Sequence, residues 1–516
     1  MANKKIEIKQ IIIVAFCVVV VFYAVINAKL LIEPIKTYIG GEITFDEMVV
    51  QIQDNYKSNN LVWKEKYINI NGLFSRLTGR QECNNVILAR NGMLIETVSR
   101  RNLDVMGEKI SEFSSYLDDQ GIEFTFVLAP KKEDTYDEIL PTGVESFANE
   151  NCDKLVETLE VSNVDVLDLR PYFSDTPEQI NKYFFATDHH WTLEGAFLAY
   201  QKLTEHILLK CPESNIDMWY ADMEQWEAHT VEDCFLGSHG KRVGVYFGGV
   251  DDVTWYTPTF ETAMSCAVPD KRQYYVGDFS DAVVREWRTE GTNYFYSNPY
   301  AVYMAQDLAL VQHRNGGAPS DLKVLLIKDS FGLPVEAYMS TMYQELDVID
   351  PRYFDECSVA EYVQRTQPDM VVLLINAGNY QNVNYELGVE NVVFEREYTS
   401  VIETCDLYIE ASEAEYNHRA FDVESGKVYK LDIEDIKVSN LPESTMVALY
   451  NSTNGEVICA RMIDVEYYRQ NGGFEWIFDT PDMESAELKL ILYAGINGQT
   501  QNIEATYEGF SLSISE

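Results

Sequence analysis

Between about residues 100 and 380, apolar runs of strand length alternate with amphipathic stretches of helical period, and this alternation restricts the fold more than any other feature. Leu103 to Leu117 has a helical stripe, and Phe124 to Ala129, closed by Pro130, is a buried strand. A helical stretch from Phe147 to Leu159 leads to the strand-like Val164 to Leu169, which stops before Pro171. The theme returns as strand Val324 to Ile327, helix Leu333 to Tyr343, strand Leu346 to Ile349, helix Val359 to Gln364 and strand Met370 to Ile375. Strands that are apolar at nearly every position are buried on both faces, as in a parallel sheet covered by helices on both sides. The expectation is an α/β, doubly wound parallel sheet occupying residues 41–395. Residues 212–320, richer in Tyr, Trp, Gly and turn residues, form an insertion that is partly β; its Trp219, Tyr220, Trp226, Tyr246, Trp255 and Tyr256 suit a core better than a sugar-stacking face. From residue 396 the helical period vanishes. Short strand-like runs with Asn454-Gly455 and Asn497-Gly498 turns predict a β-sandwich to residue 516.

Residues 1–40 decide the compartment. Lys4, Lys5 and Lys9 precede an apolar run from Ile11 to Ala28 broken only by Asn27, which nearly matches the hydrocarbon thickness of a bilayer. Lysines before it, against Lys29 alone just after it, predict a cytoplasmic N-terminus, a single-pass signal anchor and an extracytoplasmic body. A cleaved signal peptide is the alternative, although Ala24 and Ala28 lack the small-x-small spacing. The net charge of −43 disfavours nucleic acid as a partner, because a phosphate backbone is repelled over most of such a surface. Seven His and nine Cys without a Cys-x-x-Cys pair leave little for a structural zinc site, and no metal or cofactor is expected.

Two constellations carry chemistry. The first is Thr187-Asp188-His189-His190-Trp191, ahead of a helix that Thr192 can cap. In an extended stretch residues i and i+2 share a side, so Asp188 and His190 can meet while His189 faces away. A carboxylate on one imidazole nitrogen leaves the other free to take a proton from a nucleophile. The second is Lys328-Asp329-Ser330-Phe331-Gly332, which sets Ser330 at the carboxyl end of a central strand, where open α/β sheets place their sites. Each has a plainer reading: an Asp capping the helix start, and a Ser capping the next helix. Together they supply nucleophile, base and orienter on one sheet. Asn376, just past the final strand, is a candidate oxyanion donor or a turn residue, and Lys131 and Lys132, just after Pro130, are candidate contacts for an anionic glycan or solvated loop charges.

These residues resemble the DHHW proteins, relatives of the SGNH-hydrolase-like alginate O-acetylation proteins. The resemblance rests on Thr187-Asp188-His189-His190-Trp191-Thr192-Leu193-Glu194-Gly195-Ala196, on Lys328-Asp329-Ser330-Phe331, on Val348-Ile349-Asp350-Pro351-Arg352-Tyr353-Phe354 and on Asn376, and spans about residues 80–385. It implies an Asp188–His190–Ser330 triad, with Trp191 as a candidate substrate contact. It also implies O-acyl transfer, of acetyl groups in particular, to a cell-surface or secreted polysaccharide, with a membrane-bound O-acyltransferase as donor partner and a carbohydrate-binding role for residues 396–516. A polysaccharide O-acetyl esterase, or a glycan-binding scaffold with an inactive triad, stands as the alternative. Lys328 occupies the usual place of glycine in the Gly-Asp-Ser block, and no Gly-x-Asn-Asp block follows Pro368-Asp369.

Overall fold

The computed structural model describes residues 17–376 apart from short stretches such as 58–60, 133–138, 174–176 and 355–357, and beyond them the backbone of strands between Cys405 and Ile514. Helical residues 20–26 and then the helices α1 (Lys29–Ile39), α2 (Phe45–Lys57) and α3 (Lys64–Leu77) precede the α/β body. In that body α4 (Asp104–Asp119), β1 (Glu123–Ala129), α5 (Ala148–Val161) and β2 (Val166–Asp168) follow one another. Next come α6 (Leu193–Lys210), the hairpin of β3 (Trp226–Phe235) with β4 (Asp251–Pro258), and, inside that hairpin, α7 (Ser238–Val243) and α8 (Val245–Gly248). Strands β5 (Met264–Val268), β6 (Gln273–Gly277), β7 (Leu310–Asn315) and β8 (Ser320–Lys328) lead to α9 (Gly332–Met339), β9 (Tyr343–Ile349), α10 (Val359–Thr366) and β10 (Met370–Asn376).

One eight-stranded sheet, in the order β2-β1-β10-β8-β9-β7-β5-β6, organises the body. Its first five strands are parallel, as the apolar runs predict. Alternate side chains face opposite layers: Val324, Leu326, Val372 and Leu374 join one core, and Leu325, Ile327, Val371 and Leu373 join the other. Burial on both faces explains the unbroken apolar runs of the sequence.

Two expectations need correction. The sheet is mixed rather than wholly parallel, because β7, β5 and β6 from the 212–320 segment add antiparallel strands to its edge. That segment is therefore partly sheet of the main body. The helix expected to reach Tyr343 stops at Met339, where the hydroxyls of Ser340 and Thr341 donate back to the carbonyls of Ala337 and Tyr338. Within the insertion Trp226, Trp255 and Tyr256 are core residues, whereas Trp219 and Tyr246 are exposed.

No helix among the described residues is long and apolar enough to cross a membrane; residues 1–16 of the expected anchor lie outside them. Described cysteines Cys17, Cys83, Cys152, Cys211, Cys234 and Cys266 are free thiols. Beyond residue 404 the described strands pair antiparallel, in sheets ordered Cys405–Glu410, Ser485–Ile496, Thr445–Asn451, Glu456–Met462 and Gly473–Asp479, Val428–Glu434, Ser511–Ile514. The side chains expected to bind carbohydrate there lie outside the described residues.

Candidate active site

The loop before α6 is pinned at both ends. Phe184 and Trp191 form a β-bridge, and Thr192 caps α6 by accepting the Gly195 amide at 3.1 Å. Between them the insertion grips the loop. Asp251 of β4 accepts the amides of Ala186 and Thr187 at 2.7 and 2.8 Å and the Thr187 hydroxyl at 2.6 Å. The Gly237 and Gly240 amides donate to the Thr187 hydroxyl and carbonyl, each at 2.8 Å. Gly237 sits so close that a Cβ on it would lie 2.2 Å from that of Asp188, so only glycine fits.

This frame aligns a chain of hydrogen bonds. Asp188 Oδ1 accepts from His190 Nδ1 at 2.5 Å and from the His190 amide at 3.0 Å, while Oδ2 accepts the Ser238 amide at 2.5 Å. His190 Nε2 lies 2.8 Å from Ser330 Oγ, across 140 residues of sequence. With Nδ1–H held by the carboxylate, Nε2 is the proton acceptor facing the hydroxyl. Burial works against ionisation of Asp188, but His189, His190 and the Ser238 amide outweigh it and hold the carboxyl well below its usual range.

Ser330 follows β8 directly. Asp329 shapes its turn, accepting the Phe331 amide at 2.9 Å with Oδ1 and the Asn376 amide at 2.8 Å with Oδ2. The Ser330 amide itself donates to no group among the described residues, which leaves it available to an oxyanion on the carbonyl oxygen of an acyl group bonded to Ser330 Oγ. Asn376 is placed differently from the expectation: its side-chain amide donates to the carbonyls of Ala129 and Pro130 at 3.0 and 3.2 Å, tying β10 to β1. Trp191 also needs correction. It is fully buried, stacked on Phe173, and donates through Nε1 to the Phe331 carbonyl at 3.1 Å, so it buttresses the turn that carries Ser330 and presents no surface to a ligand.

Tyr300 joins the two halves of the site and went unnoticed in the sequence. Its ring stacks on His190 at 4.0 Å and 15°, and its hydroxyl donates to the Ser330 carbonyl at 2.8 Å. A Tyr thirty positions before a Ser carries no local signal. His189 does not face away. Its ring centroid is 3.7 Å from that of His190, and its Nδ1 is 2.7 Å from Ser238 Oγ. Burial, then the charge of His190, pushes its basicity well below the usual value.

Lys131 lies beside the site, half-buried, where its charge further lowers the basicity of His189 and His239, the latter pushed down to about 3 chiefly by burial. Lys132 is buried and donates to the carbonyls of Leu94 and Ala186, which overturns its reading as a solvated loop charge. Lys328, in the place of the usual glycine, is buried below the turn against Asp307 at 2.8 Å, Glu336 at 3.5 Å and Asp350 at 3.9 Å. Burial opposes its charge, and the three carboxylates more than restore it, raising its pKa. Asp188, His189 and His190 offer ligand atoms within 4.8 Å of one another, and both Asp188 oxygens already accept hydrogen bonds.

No curated protein matches the chain in sequence. Among solved structures, Bacillus cereus PatB1 with a sulfonyl adduct is 22% identical, with a TM-score of 0.48 over 57% of this chain and 97% of that one. A DHHW family protein from Eubacterium siraeum is 16% identical, with a TM-score of 0.46 over 60% and 99%. Pseudomonas aeruginosa AlgX is 14% identical, with a TM-score of 0.36 over 84% and 95%. A family model described as the SGNH hydrolase-like domain of acetyltransferase AlgX matches residues 88–226, which include Asp188 and His190. Residues 88–226 are thus similar to the SGNH hydrolase-like domain of acetyltransferase AlgX, in keeping with the resemblance that the DHHW motif carries.

Proposed function

We propose that this chain is a membrane-anchored, extracytoplasmic O-acyltransferase that moves acetyl groups onto a cell-surface or secreted polysaccharide through Ser330, His190 and Asp188. The observation that carries the reading is the continuous hydrogen-bond chain from Asp188 through His190 to Ser330 beside an uncommitted Ser330 amide. Ser330 Oγ attacks the acyl carbonyl while His190 Nε2 takes its proton, and Asp188 stabilises the imidazolium. The oxyanion collects at the Ser330 amide. Collapse expels the donor's leaving group, which takes the proton from Nε2, and leaves acyl-Ser330. A sugar hydroxyl then gives its proton to Nε2 and attacks the acyl-enzyme. The second collapse releases the sugar ester and returns the proton to Ser330.

A membrane-bound O-acyltransferase as donor partner fits an anchor beside the catalytic body. Residues 11–28 supply that anchor in this reading, and the strands beyond residue 404 a carbohydrate-binding module. The test uses purified full-length protein in detergent with an acetyl ester and a glycan acceptor. Wild type is expected to produce acetylated glycan and Ser330→Ala none; equal turnover by the two refutes the proposal. Acetate release without acetylated acceptor assigns the same triad to an esterase.

A further inference from the structure

The N-terminal helices have one surface that the proposed chemistry leaves unused. Helix α3 has two opposed faces. Its inner face is made of small and polar residues: Gly72 lies against the Val243 carbonyl and Phe247, where any Cβ would clash, and Asn69 Oδ1 accepts the Val245 amide at 2.9 Å. Its outer face carries Ile70, Leu73, Phe74 and Leu77, exposed by 61%, 40%, 62% and 77%. At helical period these four fall within an arc of about 100°, centred opposite Gly72 and Ser75. Exposed Trp63 precedes them on the same side.

Two observations name what covers this face. The first is charge. In a chain of net charge −43, residues 63–80 carry Lys64, Lys66, Arg76 and Arg80 against Glu65 alone, so this piece is locally basic. The second is continuity with the apolar N-terminal run. Phe22 and Tyr23 of that run contact Trp63 and Tyr67 at ring distances of 5.8 and 4.4 Å, and Asn27 Oδ1 accepts the Val62 amide at 2.9 Å. Val18, Val21 and Val25 of the same run are also exposed. An exposed apolar stripe with cations beside it, joined at its start to a lipid-compatible helix, suits the boundary between acyl chains and anionic headgroups.

We propose that the outer face of α3 lies in the membrane surface, its apolar stripe in the acyl boundary and its cations on anionic headgroups. This rests on the anchor reading above. The consequence for the site is direct, because the inner face of α3 packs on α7 and α8, and α7 begins with Ser238, whose amide holds Asp188. Docking α3 therefore fixes the catalytic carboxylate at a set height above the bilayer, at the end of the sheet where a membrane-borne acyl donor arrives.

The experiment reconstitutes the full chain in phosphatidylethanolamine and phosphatidylglycerol vesicles, with an environment-sensitive fluorescent amino acid replacing Phe74. The control replaces Leu209, which is 83% exposed next to Lys210, a donor to the Phe124 carbonyl at the far end of β1. The residue at 74 is expected to be quenched at least about twofold by brominated acyl chains and to be shielded from iodide. The residue at 209 is expected to show the reverse. Iodide quenching at 74 in a chain that resists carbonate extraction overturns this inference while the anchor stands. Shielding of 74 from both quenchers also overturns it, since a protein surface then covers the stripe. Carbonate extraction of a chain whose position 74 is lipid-quenched sinks the anchor and supports the docking.

Discussion

Replacing Asp188 by Asn removes one buried charge at nearly constant volume, and its cost follows from what that charge does. The carboxylate accepts His190 Nδ1 on one oxygen and the Ser238 amide on the other, each at 2.5 Å. An Asn that keeps its oxygen on Ser238 turns its NH2 toward Nδ1, which forces the proton onto Nε2 and removes the base facing Ser330. An Asn turned the other way opposes two N–H groups at Ser238. In either case the imidazolium formed during attack loses its counter-charge, worth about 4 kcal/mol for unit charges roughly 4 Å apart at an effective dielectric of about 20. That is about three decades in rate. Hydrolysis of a chromogenic acetyl ester by the purified full chain measures it, with kcat expected to fall about 1,000-fold. A fall of less than about tenfold, in protein whose unfolding midpoint is unchanged, refutes the assignment of Asp188 as orienter.

Tyr300→Phe keeps the ring stacked on His190 but deletes the bond to the Ser330 carbonyl; kcat on the same ester is expected to drop about tenfold with KM unchanged. Gly237→Ala drives a methyl into Asp188, and steady-state kinetics is expected to show a loss of activity larger than its stability cost of about 1–3 kcal/mol. Lys328→Met leaves Asp307, Glu336 and Asp350 without their shared cation, so urea unfolding is expected to show a loss of about 3–5 kcal/mol at neutral pH. At Asp165, burial raises the pKa, but hydrogen bonds from His206 and Thr125 and the charge of Lys210 bring it down to about 2. A depressed folded pKa stabilises above the unfolded value of 3.8 and loses that effect as pH falls toward 2, so Asp165→Asn, at a partly exposed and therefore screened site, is expected to cost about 1 kcal/mol at pH 7 and almost nothing near pH 2 by urea titration.

Parallel strands were legible because two-sided burial writes continuous apolar runs such as Phe124 to Ala129 and Met370 to Ile375. Antiparallel β5 and β7 are equally buried, but their short runs stand among turns and aromatic residues, and pairing direction leaves no mark on periodicity. Asp188 and His190 were visible as a pair because i and i+2 geometry is local. Ser330 was visible because strand ends are. Contacts that complete the site are not local: Asp251 reaches Thr187 across 64 residues, Ser238 reaches Asp188 across 50, and Tyr300 reaches Ser330 across 30. Trp191 was misplaced because an aromatic beside a catalytic motif reads alike whether it lines a cleft or props the turn beneath it.

The separation of 140 positions between His190 and Ser330 also sets an order of events during synthesis. A chain emerging from its N-terminus presents Asp188 and His190 first, then the glycines and Asp251 that clamp them, and the hydroxyl last. In the proposed mechanism a chain halted or clipped before Ser330 holds a base with nothing to activate, so a nascent or truncated product is expected to be silent toward esters. On that proposal reactivity waits until the last central strands have been threaded into the sheet, which makes folding its own safeguard.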